Sequence, residues 1–118
     1  MAAKRARTGY RTGLRAEVLA AWFLRLKGYR ILAMRFKTRV GEIDIVARRG
    51  QQLVFAEVKW RGSTAEGLTA IIDENRRRVR QAAELYLQKH PRYTGLDIRF
   101  DALALSPRRW PLHIKDAF

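Results

Sequence analysis

The sequence predicts an α/β fold in which helices pack against a mixed β-sheet, and three observations support that prediction. Apolar residues recur at helical spacing in residues 14–27, strand-like alternation follows in residues 29–60, and a second helical pattern precedes Pro91. A chain of 118 residues is long enough for one hydrophobic core. We therefore expect a single domain over residues 11–118, preceded by a basic flexible arm over residues 1–10.

The first helix is predicted over residues 14–27. Its apolar side chains lie three and four positions apart, so they form one face that is expected to pack on the sheet. These side chains are Leu14, Val18, Leu19, Trp22, Phe23 and Leu26. Glu17 lies at the edge of that stripe. Gly28 is expected to end the helix, because glycine readily adopts the left-handed conformation found at helix C-termini.

Alternating apolar residues predict three strands after the first helix. They cover residues 29–38, 42–48 and 52–60. A polar loop is expected over residues 61–67. A second helix is predicted from Asp73, whose side chain suits an N-cap, to His90, where Pro91 ends it. Its inward face includes Val79, Ala82, Ala83 and Tyr86. A further strand is expected at residues 96–105, followed by a turn and a short last strand within residues 106–114.

The second and third strands form a hairpin that brings acidic side chains together. A two-residue turn at residues 49–50 sets the register. Asp44 and Glu57 then become diagonal neighbours on one face, about 7–8 Å apart between α-carbons. Lys59 points to the same side because residues two apart in a strand share a face.

Two carboxylates on a half-buried face repel each other and lose hydration, and a divalent cation removes that penalty. Mg²⁺ is commonly held by one or two carboxylates together with waters and phosphate oxygens. Asp44 and Glu57 are therefore candidate ligands for Mg²⁺ or Mn²⁺, and Lys59 can orient or deprotonate a water. Glu17 would add a carboxylate if the first helix packs beside the sheet. Structural ion pairs with arginine stay open for these acids and for Glu42, as does a solvated role for Lys59.

The charge of the chain predicts a polyanionic partner. Its 25 Lys and Arg residues against 11 Asp and Glu residues give a net charge of +14, and each phosphate neutralised releases counterions. Arg61, Arg76, Arg77 and Arg78 are candidate nucleic-acid-binding residues, with a solvated helix face as the alternative for the last three. There is no cysteine, and no apolar run reaches the roughly 20 residues of a membrane span. We expect a cytoplasmic protein that binds no membrane.

Several other residues are assigned structural roles or none. Trp60 points away from Lys59 and is expected in the core, with base stacking as its alternative. Arg99 and Asp101 share a strand face and are expected to form an ion pair. His90 and His113 are assigned no role.

Several segments together resemble a known family. Asp44 followed by Glu57-Val58-Lys59, with Glu17 on the first helix, resembles the D…ExK core of the PD-(D/E)xK nuclease superfamily. The segments GEIDIVAR, LVFAEVKWR, RFD and HIKDAF resemble the YraN family of uncharacterised bacterial proteins, over residues 13–118.

The resemblance implies a restriction endonuclease-like, three-layer α/β/α core with a mixed sheet flanked by helices. It also implies that Asp44 and Glu57 are metal ligands, that Lys59 is the catalytic lysine, and that Glu17 is a further catalytic acid. Junction-cutting relatives act as dimers, which favours a homodimer. One departure is that relatives tend to carry a lysine where this chain has Asn75.

The expected function is metal-dependent hydrolysis of phosphodiester bonds in DNA, in preference to RNA, with branched or junction structures as candidate substrates. The alternative is a non-catalytic nucleic-acid-binding module that keeps the nuclease fold, and a protein-interaction adaptor is a third hypothesis. Fold alone does not decide between them, because function resides in the site rather than in the scaffold.

Overall fold

The computed structural model describes the backbone of residues 2–73 and 76–118, and the side chains of residues 13–72 and 76–118. A five-stranded sheet lies between helices on its two faces, which confirms the predicted three-layer α/β/α fold. The elements are α1 (Ala2–Leu26), β1 (Arg30–Lys37), β2 (Glu42–Arg49), β3 (Gln52–Trp60), α2 (Thr64–Asp73), α3 (Arg76–Lys89), a 3₁₀ turn (Pro91–Tyr93), β4 (Asp97–Leu105) and β5 (Leu112–Ile114).

The sheet is mixed, with the strand order β1-β2-β3-β4-β5. β3 and β4 run parallel, and the other neighbouring strands run antiparallel. A parallel pair needs a long crossover connection, and α2 and α3 supply it. The parallel pairing extends from Gln52 opposite Asp97 to Trp60 opposite Leu105, so β3 is supported along its whole length.

Each face of the sheet has its own hydrophobic core. The core beneath α1 contains Ala16, Ala20, Ala21, Leu24, Tyr29, Ile45, Ala47, Val54, Ala56, Val58, Leu103 and Leu105. The core beneath α3 contains Ile43, Val46, Leu53, Phe55, Val79, Ala82, Ala83, Tyr86, Tyr93 and Phe100. The four residues predicted for the inward face of the second helix are all buried in this second core, which confirms that prediction.

α1 packs on the sheet through a face different from the one predicted. The face it buries carries mainly alanines, namely Ala16, Ala20, Ala21 and Leu24. Four residues of the predicted core stripe are exposed instead: Val18, Leu19, Trp22 and Leu26. Small side chains let a helix approach a sheet closely. The alanine face therefore packs on the sheet in place of the predicted stripe, although alanine is less apolar than the residues of that stripe. The helical backbone also begins at Ala2, where the sequence predicted a flexible arm; the segment contains no proline and many good helix formers.

The connection between β3 and β4 contains two helices rather than the predicted loop and single helix. α2 begins within the residues expected as a polar loop and extends to Asp73, where the sequence predicted the second helix to begin. Ser63 Oγ accepts a hydrogen bond from the Glu66 backbone N–H at 3.1 Å, which caps the α2 N-terminus. Asn75, where relatives tend to carry lysine, lies outside the described residues.

Among the helices of the described residues, none combines the length and the apolar character that crossing a bilayer requires.

Candidate active site

The hairpin of β2 and β3 turns one residue later than predicted. Gly50 occupies the first turn position with φ of 60°, a conformation that glycine adopts without a side-chain clash. The register pairs Ile45 with Ala56, whereas the predicted turn would have paired Ile45 with Val54. The predicted register was therefore wrong by two residues. A shift of two does not exchange the faces of a strand, and both carboxylates line one cavity.

The regular alternation of β2 breaks at Asp44. Ile43 packs in the core beneath α3, whereas Ile45 packs in the core beneath α1, although residues two apart normally share a face. On the neighbouring strand Arg35 has φ of 55°, an uncommon value for a residue with a side chain. Asp44 Oδ2 accepts a hydrogen bond from the Val58 backbone N–H at 2.8 Å. The carboxylate thus serves as an acceptor for β3 just beyond the last paired residues of the hairpin.

Three of the four predicted catalytic residues, Asp44, Glu57 and Lys59, meet in one open cavity of about 600 Å³, which we call the acid cavity. It is lined by Lys37, Thr38, Gly41, Glu42, Asp44, Glu57, Lys59, Arg78 and Val79. Glu57 itself is buried, with 7% of its surface exposed. The arrangement therefore combines a buried acid, a half-buried acid and an ammonium group on one solvent-accessible surface.

Glu17 approaches the same residues from the α1 side. A second cavity of about 380 Å³, the helix cavity, is lined by Gly13, Ala16, Glu17, Asp44, Val58, Lys59, Trp60 and Arg61. Asp44 and Lys59 line both cavities and so connect them. The structure thus brings the predicted helix-one acid to Asp44 and Lys59, because the alanine face of α1 lets the helix settle close to the sheet.

Glu17 is a buried acid in this part of the site, with 7% of its surface exposed. Burial raises the pKa of Glu17 from 4.5 to about 7, and the negative charge of Asp44 adds to the effect. Arg35 opposes it, with Nε 3.1 Å from Glu17 Oε2 and 3.8 Å from Glu42 Oε1. Ion pairing with an arginine, the alternative left open for Glu17 and Glu42, is thus present for both. The pKa of Glu17 stays high despite that pair, mainly because burial disfavours its charged form.

The donor set fits a magnesium or manganese ion that keeps part of its water shell. Among the described residues, no group of three or more His, Asp or Glu side chains is arranged to hold a metal. Asp44 and Glu57 nevertheless supply two carboxylates to one cavity, and Mg²⁺ is usually bound through one or two carboxylates plus waters and phosphate oxygens. A metal held entirely by protein ligands does not fit this arrangement.

The four candidate nucleic-acid-binding arginines take different positions. Arg78 lines the acid cavity, and its Nε donates to the Val40 carbonyl at 3.2 Å. Arg61 is exposed and lines the helix cavity, while Arg77 is exposed in the first turn of α3. Arg76 instead donates from Nε and Nη2 to the carbonyl of Ile72, at 3.2 and 2.9 Å, near the end of α2. Arg78 and Arg61 are therefore the arginines placed beside the predicted catalytic residues.

Gly41 positions Arg78, and sequence reasoning missed its role. A Cβ atom at Gly41 would lie 2.6 Å from the Arg78 carbonyl oxygen, so the α3 backbone packs directly on this loop. The Thr38 hydroxyl accepts from the backbone N–H groups of Val40 and Gly41 and donates to the Gly41 carbonyl, which fixes the loop. The available signal was a glycine immediately before the first acid of β2.

A second polar cluster lies on the α1 face of the sheet and takes no part in either cavity. Arg99 and Asp101 form the predicted ion pair, with Nε 2.8 Å from Oδ1. His113, which was assigned no role, has Nε2 at 2.7 Å from Asp101 Oδ2, and Lys27 Nζ lies 2.6 Å from its Nδ1. Burial raises the pKa of Asp101, but hydrogen bonds from His113 and Arg99 outweigh burial and lower it to about 2. The cluster ties β4, β5 and the end of α1 together.

Trp60 packs against the core beneath α1, which confirms its predicted position, while part of its surface remains exposed.

Comparison with known proteins finds close relatives along nearly the whole chain. The model of the uncharacterised protein family UPF0102 matches residues 16–105. A UPF0102 protein of Chelativorans sp. (strain BNC1) is 50% identical over 109 residues, covering 92% of this chain and 88% of its own. A UPF0102 protein of Mesorhizobium japonicum is 52% identical over 109 residues, covering 92% and 87%. Another, of Bartonella bacilliformis, is 45% identical over 118 residues, covering 100% and 97%. The matched span includes every predicted catalytic residue.

Proposed function

The chain belongs to the uncharacterised protein family UPF0102, and on that premise we propose that it is a metal-dependent nuclease that hydrolyses phosphodiester bonds in DNA. The observation that carries the proposal is the meeting of Asp44, Glu57 and Lys59 in one open cavity, with Arg78 on its wall. Two acids that can hold a metal ion and a lysine that can donate to a phosphate, beside an accessible hollow, suit metal-assisted phosphodiester hydrolysis.

The two strand acids would hold a Mg²⁺ or Mn²⁺ ion, which supplies polarisation of a phosphoryl oxygen and a more acidic bound water. Asp44 is oriented for that role by the Val58 N–H, which fixes one of its carboxylate oxygens at 2.8 Å. Glu57 faces it from the next strand and is buried, so bulk water screens its charge little. Glu17 adds a third carboxyl group at the edge of the pair.

In the reaction, a water oxygen attacks the phosphorus in line with the departing 3′ oxygen. The bond from phosphorus to that oxygen breaks, the water gives up a proton, and the 3′ oxygen finally takes one. The Lys59 ammonium lies where it can donate hydrogen bonds to a phosphate oxygen or to the attacking water. The Arg78 guanidinium stabilises the charge that develops on the phosphate from the α3 side.

The net charge supports DNA as the partner. With +14 spread over 118 residues, the chain attracts a phosphate backbone, and Arg61 and Arg78 flank the candidate catalytic residues on two sides. Binding should therefore weaken steeply as salt concentration rises. Cytoplasmic location and a homodimer remain predictions, as does a preference for branched or junction DNA.

The test is cleavage of labelled duplex, single-stranded, flapped, forked and four-way-junction DNA with Mn²⁺ and with EDTA. We expect cutting with the metal only. Asp44→Asn and Glu57→Gln should abolish it, and Lys59→Met should slow it about 100-fold or more. Glu84→Gln removes one negative charge from an exposed position on α3 and is the matched control, with activity unchanged. Cutting at wild-type rates by both acid variants would refute the proposed site.

A non-catalytic DNA-binding module is the second candidate, and one observation favours it: the described residues contain no three-membered metal-binding group. Such a module would bind DNA equally well with Mg²⁺ and EDTA, and Asp44→Asn would not change that binding. Calorimetric titration with Mn²⁺ separates the two candidates. Heat that disappears in Glu57→Gln supports the nuclease, and absence of heat in the wild type supports the module.

A further inference from the structure

α1 turns its largest apolar side chains toward solvent, next to the loop between β4 and β5. Together these elements form a cleft of about 530 Å³, which we call the tryptophan cleft. All three tryptophans of the chain, Trp22, Trp60 and Trp110, line it. Trp22 is 58% exposed and Trp110 is 79% exposed. Exposed aromatic rings clustered in a concave surface are more typical of a binding site than of ordinary solvent-exposed surface.

The charged groups around this cleft are basic. Its charged lining residues are Arg108 and Arg109, and no acidic side chain among the described residues lines it. Beside it, the Arg25 guanidinium lies 4.9 Å from the centre of the Trp22 ring. A symmetric contact with a second copy would set this same surface against itself, and would bring arginine against arginine. The charge pattern therefore favours an anionic partner.

The cleft continues into the candidate active site through β3. Trp60 lines the tryptophan cleft and also the helix cavity, which holds Glu17, Asp44 and Lys59. Trp60 directly follows Lys59 in the strand, so the two cavities meet at adjacent residues. A polyanion whose phosphate lies at Lys59 can extend along this surface without crossing the body of the protein.

We propose that the tryptophan cleft binds the unpaired bases of a single-stranded segment of DNA. The rings of Trp22 and Trp110 serve as stacking platforms, and Arg108 and Arg109 contact the phosphates between those bases. The proposal deepens the nuclease function and rests on it in one respect, namely that DNA is the partner. It assigns the substrate class: DNA with a single-stranded segment next to the cut, in preference to a continuous duplex.

The experiment measures fluorescence anisotropy of labelled oligothymidylate, and of a duplex of equal length, in EDTA so that no cutting occurs. Trp22→Ala and Trp110→Ala should each weaken binding to the single strand about fivefold or more, and should leave duplex binding unchanged. Both side chains are largely exposed, so the variants are expected to fold. Ile98→Ala, which trims an exposed apolar residue outside the cleft, is the control and should bind as the wild type does.

Two replacements of one residue separate stacking from plain apolar contact. Trp110→Phe keeps an aromatic face and should retain most of the affinity, whereas Trp110→Leu keeps apolar surface without that face and should behave like Trp110→Ala. Equal binding by Trp110→Leu and the wild type would overturn the stacking assignment. Unchanged single-strand binding in both alanine variants would overturn the proposal altogether.

Sedimentation of the same proteins tests the other occupant. A dimer that Trp22→Ala dissociates without changing DNA binding would assign the cleft to a second copy and refute the proposal. The two proposals can fail separately. Tryptophan-dependent binding without cutting of any substrate would leave the cleft assignment standing and reject the nuclease. Cutting that depends on Asp44, combined with normal binding by the tryptophan variants, would support the nuclease and reject the cleft assignment.

Discussion

Replacing Gly41 with alanine tests how closely α3 packs on the loop that precedes β2 and its acids. The new Cβ would lie 2.6 Å from the Arg78 carbonyl oxygen and 3.0 Å from its carbonyl carbon, whereas ordinary contact begins near 3.4 Å. The loop and the helix must therefore separate by roughly 0.8 Å. The atoms in the way belong to the backbone, which cannot rotate aside as a flexible side chain could. Overpacking of this kind costs about 1–3 kcal/mol.

The measurement is urea unfolding followed by circular dichroism, with Gly95→Ala as the matched control. A Cβ at Gly95 meets no atom within 4 Å, and this residue is not among those with positive φ. The control should therefore be neutral or up to about 1 kcal/mol more stable, because alanine reduces the entropy of the unfolded chain. The same chemical change is thus expected to have opposite signs at two positions.

The clash also has a functional consequence, because the displaced backbone carries Arg78. Under conditions in which both variants are folded, Gly41→Ala should cleave DNA more slowly than Gly95→Ala. Equal unfolding free energies for the two variants would show that α3 does not pack on the loop as described. The positioning of Arg78 by Gly41 would then be refuted.

Three further predictions concern other parts of the fold. The pKa of Asp101 is lower in the folded protein than its ordinary 3.8. The ionised Asp101 therefore stabilises the fold fully above pH 3.8, and this stabilisation is lost as the pH falls toward about 2. Between pH 5 and pH 2, the unfolding free energy of the wild type should fall by about 2 kcal/mol more than that of Asp101→Asn. Ser63→Ala should lower the unfolding free energy by about 1 kcal/mol, and Ser63→Asp should restore it, since aspartate also caps helices. Arg35→Gly should be more stable than Arg35→Ala by about 1 kcal/mol, because both lose the ion pair but only glycine tolerates positive φ; equal stability of the two would contradict that backbone conformation.

The strands could be predicted from the sequence because each has a buried face and a regular alternation. The third strand was predicted with the bounds that the structure shows, residues 52–60. The hairpin register could not be predicted equally well. Gly50 can occupy either position of a two-residue turn, and the choice depends on which backbone conformation the flanking strands impose. Both choices place the acids on one face, which is why Asp44 and Glu57 line one cavity despite the wrong register.

The helices were harder to predict because their boundaries and faces depend on tertiary packing. The alanines of α1 contribute little to an apolar pattern, yet they form its buried face, because size rather than hydrophobicity decided the contact. α2 had a detectable signal, since Ser63 followed by Glu66 three residues later has the spacing of a capping box. The role of His113 had no local signal. Its partners, Lys27 and Asp101, lie 86 and 12 residues away in sequence.

The rotation of α1 about its own axis determines both the burial of Glu17 and the exposure of Trp22. Seating alanines inward sinks the carboxylate of Glu17 to a side-chain exposure of only 9%, and the same rotation leaves Trp22 facing outward. A half-turn of this helix about its axis would bury the indole and lift the acid into water, because Trp22 lies two residues, or about 200°, from the buried Ala20. The burial of Glu17 and the exposure of the apolar Trp22 ring are therefore coupled in this protein. A bulky substitution at Ala20 should change the exposure of Glu17 and of Trp22 together, because both residues belong to the same helix, α1.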